Sequence, residues 1–209
     1  MLILLEGSDR AGKSTLARHL RVRIQSSRPS HIVRVIHKGP PTAHPLLEYE
    51  NPLFWYRPDE NVHVICDRWH IGEQVYPQLL GRTTRATPAV NTHIEMFLRS
   101  RGALLVHVTA PLDTLAARLA AEQLENPGHS FVSAEQLVKS PALFENAVAL
   151  SALDSVKIDT ARQIYDGHLD TLIEKALRLE AEAKQIKPFR TYVGPPRPKL
   201  LLVGDVRHN

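Results

Sequence analysis

Residues 1–16, MLILLEGSDRAGKSTL, constrain the fold more than any other part of the chain. An apolar run breaks into a glycine-bearing turn and then into helix-forming residues. The turn fits G-x-x-x-x-G-K-[ST] at Gly7, Gly12, Lys13 and Ser14. Glycines admit backbone angles and close approaches that other residues resist. Successive N–H groups of such a turn point inward at phosphate oxygens, helped by the positive end of the following helix. Lys13 is expected to reach the β- and γ-phosphates, and Ser14 to offer its hydroxyl to Mg²⁺. Residues 7–15, with Ser8, Ala11 and Thr15 among them, are therefore expected to cradle the phosphates of a nucleotide.

The rest of the chain repeats the strand-then-helix theme. Apolar β-type runs fall at 1–6, 31–37, 61–67, 103–109 and 155–158. Helical patterns fall at 14–26, 89–101, 112–123, 134–138 and 141–150, and a long one runs over 160–186. Strands separated by helices predict an α/β fold of three layers, α/β/α, with about five parallel strands. Residues 1–186 are expected to form this domain. Residues 187–209 hold four of the 15 prolines and then the apolar run LLLV. They read as a linker followed by an extra strand or tail.

Composition sets limits on function. Lys and Arg total 26 against 22 Asp and Glu, giving a formal charge of +4. That balance suits an anionic small molecule and permits DNA contact without requiring it. The single cysteine, Cys66, lies in an apolar run and reads as a buried thiol. No intramolecular disulfide can form, which fits a reducing, cytoplasmic setting. No apolar run is long enough to span a bilayer. The histidines are scattered without metal-site spacing, so Mg²⁺ is the one metal expected.

A second constellation, VICDRWHIGEQVY, supplies Asp67, Arg68, Trp69, Glu73 and Tyr76. Asp67 ends an apolar strand, at the sheet edge where ligands of parallel sheets bind. There it can hold Mg²⁺ or act as base toward an acceptor hydroxyl. Arg68 can reach an anionic acceptor or the transferring phosphoryl group. Trp69 and Tyr76 can pack on a flat base or in the core.

Together, LEGSDRAGKST, DRWHIGEQVY and the later VTAPLDTLAARL resemble the thymidylate kinase family of P-loop nucleoside and nucleotide kinases. Trp69 takes the place of the family's tyrosine after Asp-Arg, and Val75 and Tyr76 match its later pair. The resemblance implies a P-loop kinase fold, with Arg118 near the adenine of ATP. It also implies a role for the Asp-Arg pair inside the phosphate loop. Some members carry a catalytic arginine in a mobile lid, others in the loop. The expected lid here, residues 120–139, has no arginine. Arg10 would then take the lid arginine's part, and Asp9 would face the acceptor sugar. Family members are often dimers.

The chain leaves the family where the acceptor should bind. In place of Phe-Pro-x-Arg it has HKGPP, and Lys38 lacks the arginine fork. Two family helices are compressed into residues 42–64. Arg57 and the Phe54, Trp55, Tyr56 cluster are either a compact acceptor site or core packing beside a surface arginine. The expected reaction is ATP-dependent phosphoryl transfer to a deoxynucleoside monophosphate of thymidine type. The alternatives are a deoxynucleoside, a hydroxymethylated base in DNA, or a non-catalytic nucleotide-binding module.

Overall fold

The computed structural model describes residues 1–58, 61–126, 132–164 and 166–185. Five strands form one parallel sheet: β1 Leu2–Glu6, β2 Ile32–His37, β3 Val62–Asp67, β4 Ala103–Thr109 and β5 Ser155–Asp159. Their order is β2-β3-β1-β4-β5. Seven helices accompany them among the described residues: α1 Lys13–Ser27, α2 Pro45–Glu50, α3 Gly72–Leu80, α4 Pro88–Arg99, α5 Leu112–Glu125, α6 Ala134–Ala149 and α7 Asp166–Gln185.

β1 is central and wholly buried, as an apolar strand paired on both edges should be. The chain builds β2 and β3 to one side of β1 and β4 and β5 to the other. Ligands of such sheets bind at the carboxyl ends near this reversal, which is where residues 7–12 leave β1. The register places Leu5 beside Asp67 and Glu6 beside His107, so the strand ends converge there. α1 packs on the sheet through Leu16, Ala17, Leu20 and Ile24, at helical spacing.

Three expectations need correction. The two helices expected at 134–138 and 141–150 are one, α6, with Pro141 inside. Proline cannot donate to the carbonyl four residues back. The Ser140 hydroxyl donates to that carbonyl, of Leu137, at 3.0 Å instead. The same device sustains α3, to which the sequence reading gave no element. Pro77 leaves the Glu73 carbonyl free, and Thr84 Oγ1 donates to it at 3.2 Å. The long helix expected from 160 begins at Asp166, and residues 160–164 are a loop. Thr160 is tied down: its hydroxyl donates to the Ala11 carbonyl at 2.7 Å, and its own N–H donates to the Thr109 carbonyl. The extra strand or tail expected over 187–209 lies outside the described residues, as does part of the expected lid, 127–131.

Candidate active site

The turn after β1 owes its path to two glycines. Gly7 has φ +152°, and a Cβ there would come within 2.0 Å of the Val108 carbonyl oxygen. Gly12, at φ +88°, caps α1. Only two described non-glycine residues have positive φ, Arg10 at 65° and Arg68 at 68°. An L-residue there is strained by about 1–2 kcal/mol, and such strain gathers at functional sites. Both arginines were singled out from sequence as cations for the transferring group.

Lys13 is buried and donates to the carbonyls of Gly7 at 2.8 Å and Ser8 at 2.7 Å. Burial, reinforced by the Arg68 charge, pushes its ammonium down to about 8, against the pull of Asp9, Glu6 and Asp67. Cationic Lys13 is the form that attracts phosphate. The free protein loses it as pH rises through about 8, whereas bound polyphosphate restores it. ATP binding is therefore expected to take up a proton above pH 8, with affinity falling up to tenfold per pH unit there. Calorimetry in buffers of different ionisation enthalpy measures that uptake.

Ser14 and Asp67 meet at the head of α1. The Ser14 hydroxyl donates to Asp67 Oδ2 at 2.6 Å, and His37 Nδ1 lies 3.2 Å from the same oxygen. Asp67 Oδ1 is buried with no hydrogen-bond partner among the described residues. A hydroxyl beside a carboxylate with an unused oxygen is a donor set suited to Mg²⁺, which takes hard oxygen ligands and completes its shell with phosphates and water. The residues fit that ion.

Asp9 does not pair with Arg10. Its Oδ1 accepts from Arg68 Nη2 at 2.8 Å and from the Tyr76 hydroxyl at 3.1 Å. Arg10 instead forms an ion pair with Glu122 of α5. Arg118, also on α5, donates to the Arg10 carbonyl at 2.9 Å and to Thr160. Arg118 thereby ties α5, the phosphate loop and the loop after β5 into one wall.

Two cavities flank this centre. The larger, about 660 Å³, is lined by Arg10, Gly12, Lys13, Ser14, Thr15, Arg118 and the loop residues Thr160, Arg162, Gln163 and Ile164. The smaller, about 200 Å³, is lined by Lys38, Gly39, Pro40, Tyr49, Trp69, Gly72, Glu73, Tyr76 and Arg82. Among the described residues Arg68 alone borders both.

Of the residues expected around an acceptor, Lys38, Trp69, Glu73 and Tyr76 line the small cavity. Arg57 is not brought there; it donates to the carbonyls of Phe54 and Tyr56. Nor is its aromatic cluster: Tyr56 is buried and donates to Glu180, while Phe54 and Trp55 are exposed. That segment was compressed, and its wall is Tyr49 of α2, whose ring lies 5.6 Å from that of Trp69.

Sequence reasoning also missed Glu6 and Arg82. Glu6 is buried and accepts from the N–H groups of Trp69 at 2.8 Å, Ile71 at 2.9 Å and Gly72 at 3.4 Å. Burial raises its carboxyl above the usual range, against nearby His70 and Lys13. It shapes the turn that carries Arg68 and Trp69. A charged residue closing an apolar strand was the available signal. Arg82 grips Glu73 through two bonds, 2.9 and 2.6 Å. The eight residues between them, with a proline, concealed the pairing.

A parallel sheet of order 2-3-1-4-5 with a phosphate loop after its central strand defines the P-loop kinase fold, and solved structures of that fold match this chain. No protein-family model matches the sequence, and no curated protein does. YorR from Bacillus subtilis, solved with phosphorylated GDP, superposes with TM-score 0.62 at 23% identity, over 87% of this chain and 98% of its own. Polyphosphate kinase 2 from Arthrobacter aurescens gives 0.55 at 16%, over 89% and 69%. Deoxyadenosine kinase from M. mycoides, solved with dATP, gives 0.50 at 14%, over 84% and 98%. Likeness at these identities establishes the fold. Among the described residues no helix is long and apolar enough to cross a membrane.

Proposed function

We propose that this chain is an ATP-dependent kinase that transfers the γ-phosphoryl group to a nucleoside-type or nucleotide-type acceptor. The observation that carries the reading is Arg68, the one described residue that borders both cavities. ATP occupies the larger cavity, with its phosphates on residues 7–15. Mg²⁺, held by Ser14 and Asp67, supplies charge neutralisation at the phosphates. Lys13 and Arg68 stabilise the charge that builds on the transferring group, since phosphoryl transfer is mostly positioning and electrostatics. Asp9, fixed by Arg68 and Tyr76, faces the acceptor.

Arg10 completes the set of cations when it exchanges Glu122 for the phosphoryl oxygens. Arg10→Ala is expected to lower kcat at least about tenfold while changing ATP affinity much less, because that contact is made chiefly in the transition state. Steady-state kinetics beside ATP titration measure both. An Arg10→Ala protein as active as wild type would refute the in-loop arginine's role.

The acceptor expected from the resemblance is a deoxynucleoside monophosphate of thymidine type; a deoxynucleoside or a hydroxymethylated base in DNA would use the same machinery. The purified protein is to be given ATP and Mg²⁺ with nucleosides, nucleoside monophosphates and modified DNA, scored for ADP release and product mass. Acceptor-dependent ADP release with a phosphorylated product supports the kinase reading. ATP binding without product from any acceptor leaves the non-catalytic module.

A further inference from the structure

Among the described residues, each of the three cations on the acceptor cavity already has a carboxylate. Lys38 donates to Glu48 at 3.1 Å, Arg68 to Asp9 at 2.8 Å, and Arg82 to Glu73 through two bonds. Asp9 and Glu73 are only 4% and 2% exposed, so bulk water cannot take over either ion pair. Arg85 does not line the cavity and donates to the carbonyls of Pro41 and Thr42. On the nucleotide cavity Arg10 is also paired, but with Glu122, a carboxylate far more exposed than Asp9 or Glu73. Lys13 and Arg118 donate to carbonyl and hydroxyl oxygens and, among the described residues, form no ion pair with a carboxylate. Their charge remains available to a polyphosphate.

A phosphomonoester brings between −1.5 and −2 charges near neutral pH, roughly speaking. In the small cavity it would meet cations whose charge is already balanced, two of them by the buried carboxylates of Asp9 and Glu73, and displacing either would leave a buried carboxylate unpaired, which is strongly unfavourable. An uncharged group meets no such barrier. The walls offered to it are the rings of Tyr49, Trp69 and Tyr76.

We propose that the acceptor presents a neutral hydroxyl, not a phosphate oxygen, to the transferring group. This rests on the kinase reading above and selects among its acceptors. The hydroxyl oxygen forms the new bond to the γ-phosphorus as the bond to the β-bridging oxygen breaks. ADP leaves with that electron pair, and the hydroxyl proton passes to the Asp9 carboxylate and then to water. The hydroxyl can belong to a free nucleoside or to a hydroxymethylated base in DNA; the chemistry is shared.

The test is a comparison of kcat/KM for the full chain with thymidine and deoxyadenosine, with their monophosphates, and with duplex DNA containing a hydroxymethylated pyrimidine. At least one hydroxyl substrate is expected to exceed the monophosphates about tenfold or more, and the arm that reacts identifies its source. Monophosphates turned over equally well or better would overturn the inference and leave the kinase reading standing. ATP binding with no product in any arm would overturn both. As a second arm, Glu48→Gln frees Lys38, and is expected to raise the monophosphate-to-hydroxyl ratio of kcat/KM by about three- to fivefold. An unchanged ratio would overturn the charge argument.

Discussion

Lys13→Ala is expected to lower kcat by at least about 10²–10³-fold, the usual loss when one preorganised charge or donor at a transition state is removed. Lys13 is the buried cation of the phosphate loop, and its hydrogen bonds to described residues go to the carbonyls of Gly7 and Ser8. Both bonds are to groups of its own loop, so the ammonium can turn to phosphate without breaking an ion pair. The fold should survive the change. Burial disfavours the lysine charge, and a group whose pKa is depressed on folding opposes stability below that pKa. Removing it lifts that opposition while leaving two loop carbonyls to water. The variant is expected to unfold within a few degrees of wild type by thermal scanning, yet to release ADP at background rate.

Arg68→Ala is expected to cost a similar factor in kcat, and unlike Lys13→Ala to raise KM for the acceptor as well. Arg68 borders both cavities and holds Asp9. Its loss removes charge from the transferring group and leaves Asp9 with the Tyr76 hydroxyl as its hydrogen-bond donor among the described residues. Stability should fall by about 1–3 kcal/mol, the penalty of a buried acceptor losing a strong donor. Alanine inherits the strain of φ 68°. Arg68→Gly, which relieves it, should therefore be no more active but more stable than Arg68→Ala. Equal stability of the two would show that the positive φ stores no strain.

The phosphate loop and its flanks were legible because local chemistry dictates them: an apolar strand, glycines at fixed offsets and a helix start. β1, β3 and β4 were legible as continuous buried runs, and the more exposed edge strands β2 and β5 from their apolar, β-branched residues. α3 was not, because Pro77 reads as a breaker and its rescue by Thr84 comes from beyond the helix. Residues 160–164 read as helix because Ile164 continues the apolar spacing of α7; the ties from Thr160 to Ala11 and Thr109 are long-range and invisible to periodicity. The acceptor cavity was the least legible part. Its walls come from residues 38–40, α2, the turn after β3 and α3, and its charge pattern depends on pairs such as Arg82 with Glu73. Lys38 looked like a free point charge in sequence; Glu48, ten residues on, neutralises it.

The central claim is that phosphoryl leaves ATP for an acceptor and not for water. Following the γ-phosphoryl group of isotopically labelled ATP through one turnover tests it most directly. With a competent acceptor present, the label is expected to appear covalently on the acceptor, in amount equal to the ADP formed, with Lys13→Ala transferring none. Label recovered only as inorganic phosphate, or only in unchanged ATP, across the full acceptor panel would contradict it.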